Sequence, residues 1–68
     1  MLKFKLRPIL QPGDLVAVFD SSDSRNEALA YLRTGPKRVR QNADAIRIAT
    51  HPVDAHRSIT TLRYGGSL

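Results

Sequence analysis

Cysteine and tryptophan are absent from this chain, and aromatic residues make up only 6% of its 68 residues. Without cysteine there is no disulfide, no thiolate nucleophile and no thiolate metal site. No apolar run approaches the roughly 20 residues of a membrane-spanning helix. The opening segment alternates with Lys3, Lys5 and Arg7 instead of forming the apolar core of a signal peptide. We therefore expect a cytoplasmic protein that does not enter a membrane.

Acidic residues are also scarce, since six Asp and Glu stand against eleven Lys and Arg and leave a net charge of +5. A field of this sign attracts polyanions, or the acidic surface of another protein. A chain this short forms one small domain that buries only about 60% of its unfolded surface. We predict a single globular domain over residues 1–64 and a flexible C-terminal tail over residues 65–68.

The first part of the chain has the pattern of two strands joined by a turn. Strict alternation of apolar and basic residues over Leu2–Arg7 predicts a half-buried strand. Pro12-Gly13 fits the central pair of a type II turn. The β-branched and aromatic run Asp14–Phe19 predicts a second strand. Together they predict a hairpin.

A helix is predicted over Arg25–Thr34. Ser24 and Glu27 have the spacing of a capping box, with Ser24 as N-cap. Gly35, followed by proline, predicts a left-handed C-cap that ends the helix. Ala28, Leu29 and Leu32 are predicted to form its apolar stripe.

The second half of the chain is predicted to contain mainly strands. A polar, basic connection follows the helix, with a short strand around Val39. A strand over Ala45–Ala49 is expected to end at His51-Pro52, and Val53–Arg57 is expected to be a loop. A last strand covers Ile59–Tyr64. The fold class is therefore α+β, in the order strand-strand-helix-strand-strand, with one helix packed on the sheet.

This order is that of a small β-grasp-like mixed sheet, and the chain resembles ubiquitin and its smaller sulfur-carrier relatives. The matching pieces are the opening Met1–Leu6, the Ser22-Asp-Ser24 entry to the helix, and the run Ile59–Gly66, which ends in Gly65-Gly66. The resemblance implies that the last strand pairs beside the first. We expect the glycine pair to have no packing role, because glycine offers no side chain and is costly to order.

The same resemblance implies a conjugation tail formed by Arg63, Tyr64, Gly65 and Gly66. An adenylating enzyme would activate the Gly66 carboxylate, and its groove would bind Arg63 and Tyr64 as an extended peptide. A processing peptidase would first have to remove Ser67 and Leu68. The domain would be a ubiquitin-like modifier or carrier, not a catalyst.

A second resemblance is to the carbon storage regulators, which are small dimeric RNA binders. The pieces that match, in order, are Met1-Leu2, Arg7, Gly13–Val18, Ile46–Ile48, Pro52 and His56-Arg57. This resemblance implies that Arg57 contacts RNA.

Basic residues independently predict an anion site. Arg33, Lys37, Arg38 and Arg40 cluster at the end of the helix and in the connection after it. Three or four contacts to phosphate give weak, salt-sensitive binding, whereas cations near a helix C-terminus also have a purely structural use. The alternative functions are therefore a nucleic-acid-binding regulator, of RNA or DNA, and an accessory or inhibitor protein that docks on an acidic partner.

Residues capable of catalysis are few. His51, Asp54 and His56 lie close in the chain, but their spacing is not diagnostic of zinc. Ser58, His56 and Asp54 are sequence neighbours, which rarely converge as a triad. We predict no enzymatic activity, no metal site and no cofactor.

Overall fold

A computed structural model of the chain describes residues 9–20 and 23–66. Its elements are, in order, β1 (Leu15–Phe19), α1 (Ser24–Thr34), α2 (Lys37–Gln41), a 3₁₀ turn (Ala43–Ala45), β2 (Ile46–Asp54) and β3 (Arg57–Tyr64). The described residues form a three-stranded antiparallel sheet and two helices, so the fold is α+β.

The last strand is the centre of this sheet, because the strand order is β1-β3-β2. Over residues 60–63, one edge of β3 pairs with β1 and the other with β2. Residues 60–63 of β3 therefore have a described strand on each side, while the predicted pairing of the last strand with the first depends on residues that the structure does not describe. The predicted strand Leu2–Arg7 itself lies outside the described residues.

The core lies between the sheet and the two helices. Its buried apolar side chains come from every strand, both helices and the segment before β1: Leu10, Val16, Ala17, Phe19, Ala28, Val39, Ile46 and Leu62. The Phe19 and Tyr31 rings meet edge to face, with centroids 5.6 Å apart. The predicted stripe on α1 is only partly correct, because Leu29 remains 37% exposed.

The predicted turn and second strand are confirmed. The Asp14 amide donates to the Gln11 carbonyl at 2.9 Å, and Gly13 has a φ of 89°. This is the positive φ that a type II turn requires at its third residue. The turn leads directly into β1.

The helix prediction is confirmed, but the predicted capping box is wrong. The N-cap is Asp23, and no side chain caps the helix. Ser24 lies inside α1, where its buried hydroxyl forms a hydrogen bond with the hydroxyl of Thr60 at 3.0 Å. The serine therefore satisfies its hydrogen bond across the helix–sheet interface.

Gly35 ends α1, but not in the predicted left-handed conformation. Its φ of −75° and ψ of −164° are extended, and its amide donates to the Tyr31 carbonyl at 2.8 Å. A Cβ at Gly35 would lie 2.5 Å from that carbonyl oxygen and 2.9 Å from the Tyr31 ring. Close approach of Tyr31 is thus the reason for glycine at this position.

The predicted short strand around Val39 is wrong, because Val39 lies in α2. Pro36 precedes this helix with a φ of −53°, and its carbonyl accepts from the Val39 and Arg40 amides. The Val39 side chain is fully buried in the core. The fold therefore contains two helices, whereas the sequence predicted only one.

The predicted end of a strand at Pro52 and the loop over Val53–Arg57 are also wrong. β2 continues to Asp54 and forms a hairpin with β3, in which Pro52 lies opposite Ser58. A proline is tolerated here because β2 lies at an edge of the described sheet. At the hairpin turn, the Asp54 carboxylate accepts from the His56 amide at 2.8 Å.

No helix among the described residues is both long enough and apolar enough to span a membrane.

Candidate anion-binding surfaces and the C-terminal glycines

Four of the predicted anion-binding residues lie together in sequence on the two helices. We call them the helical basic cluster: Arg33, Lys37, Arg38 and Arg40. Arg33 is in the last turn of α1, and the other three are in α2. Between Ala28 and Ala43 they are the only charged residues. None of them forms an ion pair within the part of the chain that the structure describes.

Arg33, Lys37 and Arg40 have exposed side chains, whereas Arg38 is partly buried. Arg40 has a local structural role as well, because its Nε donates to the Gly35 carbonyl at 2.9 Å. A cation here stabilises the unpaired carbonyls at the C-terminus of α1. Arg33 and Lys37 have no such bond among the described residues, so they are the cluster's two clearest candidates for an external anion.

Arg38 and Tyr31 meet at the junction of the two helices. The Arg38 Nε and the Tyr31 hydroxyl are both buried and lack a hydrogen-bond partner. Burial raises the pKa of Tyr31, and the nearby positive charge of Arg38 partly offsets this by lowering it. These atoms contribute to the electrostatics of the junction but are not accessible to solvent.

Arg57, the fifth predicted residue, is not part of this cluster. It is the first residue of β3, and its Nε lies 3.5 Å from a carboxylate oxygen of Asp20. This exposed ion pair partly neutralises the charge on which the predicted RNA contact depends.

Arg63 and Tyr64 lie inside β3, although the modifier hypothesis assigned them to an extended tail. Arg63 is opposite Leu15 on one side and Arg47 on the other. The Tyr64 backbone donates to the Asp14 carbonyl and accepts from the Gly13 amide. An enzyme could not bind this backbone as a free peptide without opening the sheet.

Gly65 extends this pairing by one residue, because its amide donates to the Ala45 carbonyl at 2.8 Å. A Cβ at Gly65 would lie 2.7 Å from the Nε of Arg47, and a Cβ at Gly66 would overlap the Tyr64 ring and hydroxyl. The expectation that the pair has no packing role is wrong, since neighbouring side chains occupy the space beside both glycines. Any free tail begins no earlier than Gly66.

Arg47 is a residue that sequence reasoning did not select. It lies directly opposite Arg63 in the β2–β3 register, and both side chains are exposed. Both lie in segments predicted as strands, but the pairing register is a property of the hairpin and is not visible in either segment alone.

Two of the residues considered for catalysis or metal binding have local hydrogen-bond partners. The Thr61 hydroxyl lies 3.4 Å from the Nε2 of His51, and Asp54 is engaged by the hairpin turn. Within residues 9–20 and 23–66, no three His, Asp or Glu side chains are grouped closely enough to hold a metal ion.

Comparison with protein-family models, with curated proteins and with solved structures finds no significant match to this chain. These comparisons therefore support neither of the two family resemblances.

Proposed function

We propose that the protein binds nucleic acid through the phosphate backbone, using the helical basic cluster. The observation that supports this most strongly is the run from Ala28 to Ala43, in which every charged residue is basic and none has an acidic partner among the described residues. Exposed arginine and lysine side chains without carboxylate partners are the groups that contact phosphate oxygens.

This mode of binding is independent of base sequence. The described aromatic residues do not offer a stacking platform, because Phe19, Tyr31 and Tyr64 pack in or against the core. With about four phosphate contacts, affinity for duplex DNA should fall about a hundredfold between 50 and 200 mM salt.

The proposal is tested by fluorescence anisotropy of a labelled duplex of about 20 base pairs, titrated with the protein at several salt concentrations across this range. Arg33→Gln and Lys37→Gln should each weaken binding and reduce the slope of log affinity against log salt by about 1. The matched control is Arg25→Gln, which removes one exposed positive charge near the opposite end of α1. The control should leave the slope unchanged.

Equal effects of all three substitutions would show that only net charge matters and would overturn the assignment to the cluster. Absence of binding at 50 mM salt, to duplex and to single strands, would overturn the proposed function as a whole.

The second candidate is the ubiquitin-like modifier, which is favoured by the position of Gly66. This residue follows Gly65, whose amide makes the last described backbone hydrogen bond of the chain. Release of Ser67 and Leu68 would leave a glycine carboxylate at the end of the central strand. The hydrogen bond of Gly65 weighs against this function, because it leaves only Gly66 free for an activating enzyme to bind once Ser67 and Leu68 are removed.

Intact mass of an N-terminally tagged chain recovered from its host cells tests the modifier function. Loss of Ser67 and Leu68, together with covalent attachment to other proteins through Gly66, is the expected result. An unchanged mass would contradict it. Ser67→Ala provides a control that alters the residue to be removed but not the glycines.

A further inference from the structure

The two sides of the sheet differ in how far the described residues cover them. On one side, Thr60 and Leu62 of β3 face α1 and the core and are fully buried. On the other side, which we call the open face, successive cross-strand pairs are Arg47 with Arg63, Ala49 with Thr61, and His51 with Ile59. All six of these residues are exposed or half-exposed.

Two arginines of like charge lie directly opposite each other on this open face. Residues in such a cross-strand pair have Cβ atoms about 4.5–5.5 Å apart, and like charges at that separation destabilise a sheet. Neither Arg47 nor Arg63 has an ion-pair partner within the described residues. Each side chain has one described contact instead. Arg63 Nη1 donates to the Gly13 carbonyl at 3.2 Å, and the Arg47 side chain lies beside Gly65.

An anion placed between the two guanidinium groups would convert this repulsion into attraction. Arginine pairs with phosphate through two parallel N–H···O bonds, and two long, exposed arginine side chains at opposed positions of neighbouring strands can both reach one phosphate group. Beside the two arginines, this face carries the aliphatic or small residues Leu15, Val18, Ala49 and Ile59, together with the hydrogen-bonding pair Thr61 and His51. No Phe or Tyr among the described residues lies on this face, because Phe19, Tyr31 and Tyr64 pack in or against the core. This chemistry suits a phosphodiester backbone, with no Phe or Tyr ring on which successive bases could stack.

We propose that the open face is a second nucleic-acid contact surface, on which Arg47 and Arg63 jointly hold one backbone phosphate. This inference rests on the proposed function, and it adds a contact on the side of the sheet opposite α1.

The test uses the same anisotropy assay with the full chain. The lysine variants Arg47→Lys and Arg63→Lys keep the positive charge but remove the planar guanidinium group. The threonine variants Arg47→Thr and Arg63→Thr remove the charge as well as the guanidinium group. Each threonine variant should weaken binding about tenfold, and each lysine variant several-fold. Arg25→Lys and Arg25→Gln are the matched controls on α1, and both should bind like the parent chain.

A joint hold on one phosphate also predicts non-additivity. The double variant Arg47→Thr/Arg63→Thr should bind little more weakly than either single variant. Two fully additive losses would overturn the shared phosphate, and threonine variants that bind like the parent would overturn the open face as a contact surface.

The failures of this inference and of the proposed function can be told apart. Loss of affinity in Arg33→Gln and Lys37→Gln, without loss in the threonine variants, removes the open-face inference and leaves the cluster. The reverse pattern removes the cluster and supports the open face. Thermal unfolding should show that the threonine variants remain folded at the temperature of the binding assay, which excludes misfolding as the cause of lost binding.

Discussion

The two faces of the central strand β3 share one backbone but have different surroundings. Thr60 and Leu62 point toward α1 and are fully buried, whereas Thr61 and Arg63 point to the open face and remain accessible. Successive side chains on a strand alternate between faces, so neighbouring residues have unrelated roles. Stability should therefore depend on the even-numbered residues of β3, and interaction with charged ligands on the odd-numbered ones.

The largest expected effect is the truncation of Leu62 on the core side. Leu62→Ala removes a fully buried side chain from the centre of the core and should cost about 2–5 kcal/mol of unfolding free energy. Ile59→Ala removes a similar side chain from the half-exposed open face and should cost about 1 kcal/mol or less. Urea denaturation of both variants measures the difference. Equal losses would mean that the open face is packed as tightly as the core.

A smaller effect is expected from the buried hydroxyl network. The Thr60 hydroxyl lies 3.0 Å from that of Ser24 and 3.2 Å from that of Thr50, and so links α1 to two strands. Thr60→Val keeps the shape but leaves the buried Ser24 hydroxyl without its partner, which should cost about 1–3 kcal/mol. Thr61→Val makes the same change on the open face and should alter stability little. A neutral Thr60→Val would show that the network contributes nothing.

The sequence predicted the elements of this fold better than their pairing. The apolar runs at 14–19 and 59–64 and the helix at 25–34 were recognisable because their periodicity is local. The pairing of β3 with β1 joins residues about 40 or more positions apart, such as Phe19 with Thr60, and the packing of α1 on β3 joins Ser24 with Thr60. Local patterns do not carry that information.

Two errors have a specific physical cause. Val39 was assigned to a strand because a β-branched residue among polar ones fits either structure, whereas its amide donates to the Pro36 carbonyl in α2 and its side chain is buried in the core. Ser24 has the capping-box spacing, but a hydrogen bond with Thr60 across the interface replaces the cap. In both cases a tertiary contact overrides a local preference.

The candidate site was predictable only in part. The helical basic cluster is contiguous in sequence, so its four residues could be identified before the fold was known. Arg47 and Arg63 are brought together by the hairpin register, which a shift of one residue would abolish. The glycine pair was noticed in the sequence, but its surroundings were not predicted. Arg47 lies beside Gly65 and Tyr64 lies beside Gly66.

An intermediate loss of stability is expected from changes in the turn at Gly13, which forms two hydrogen bonds with the end of β3. The Gly13 amide donates to the Tyr64 carbonyl at 2.7 Å, and its carbonyl accepts from Arg63 Nη1. Its φ of 89° is strained for any residue with a Cβ, so Gly13→Ala should cost about 1–2 kcal/mol. Gly13→Asn should cost less, because asparagine tolerates a positive φ. Thermal unfolding compares the two, and equal melting temperatures would contradict the role of the backbone angle.

The smallest expected effect is an increase in stability, whereas the other substitutions are expected to lower it. This opposite sign makes it the sharpest test of the open face. Arg47→Thr removes one member of the like-charged pair and introduces a residue with good strand propensity. At low salt it should raise stability by about 0.2–1 kcal/mol, whereas Arg47→Lys keeps the charge and should change stability little. Salt screens exposed charges, so the difference between the two variants should shrink when urea denaturation is repeated at high salt. If Arg47→Thr is less stable than the parent at every salt concentration, the packing of the Arg47 side chain beside Gly65 outweighs its repulsion with Arg63. The pair would then be held together by structure and would need no bound anion to relieve it.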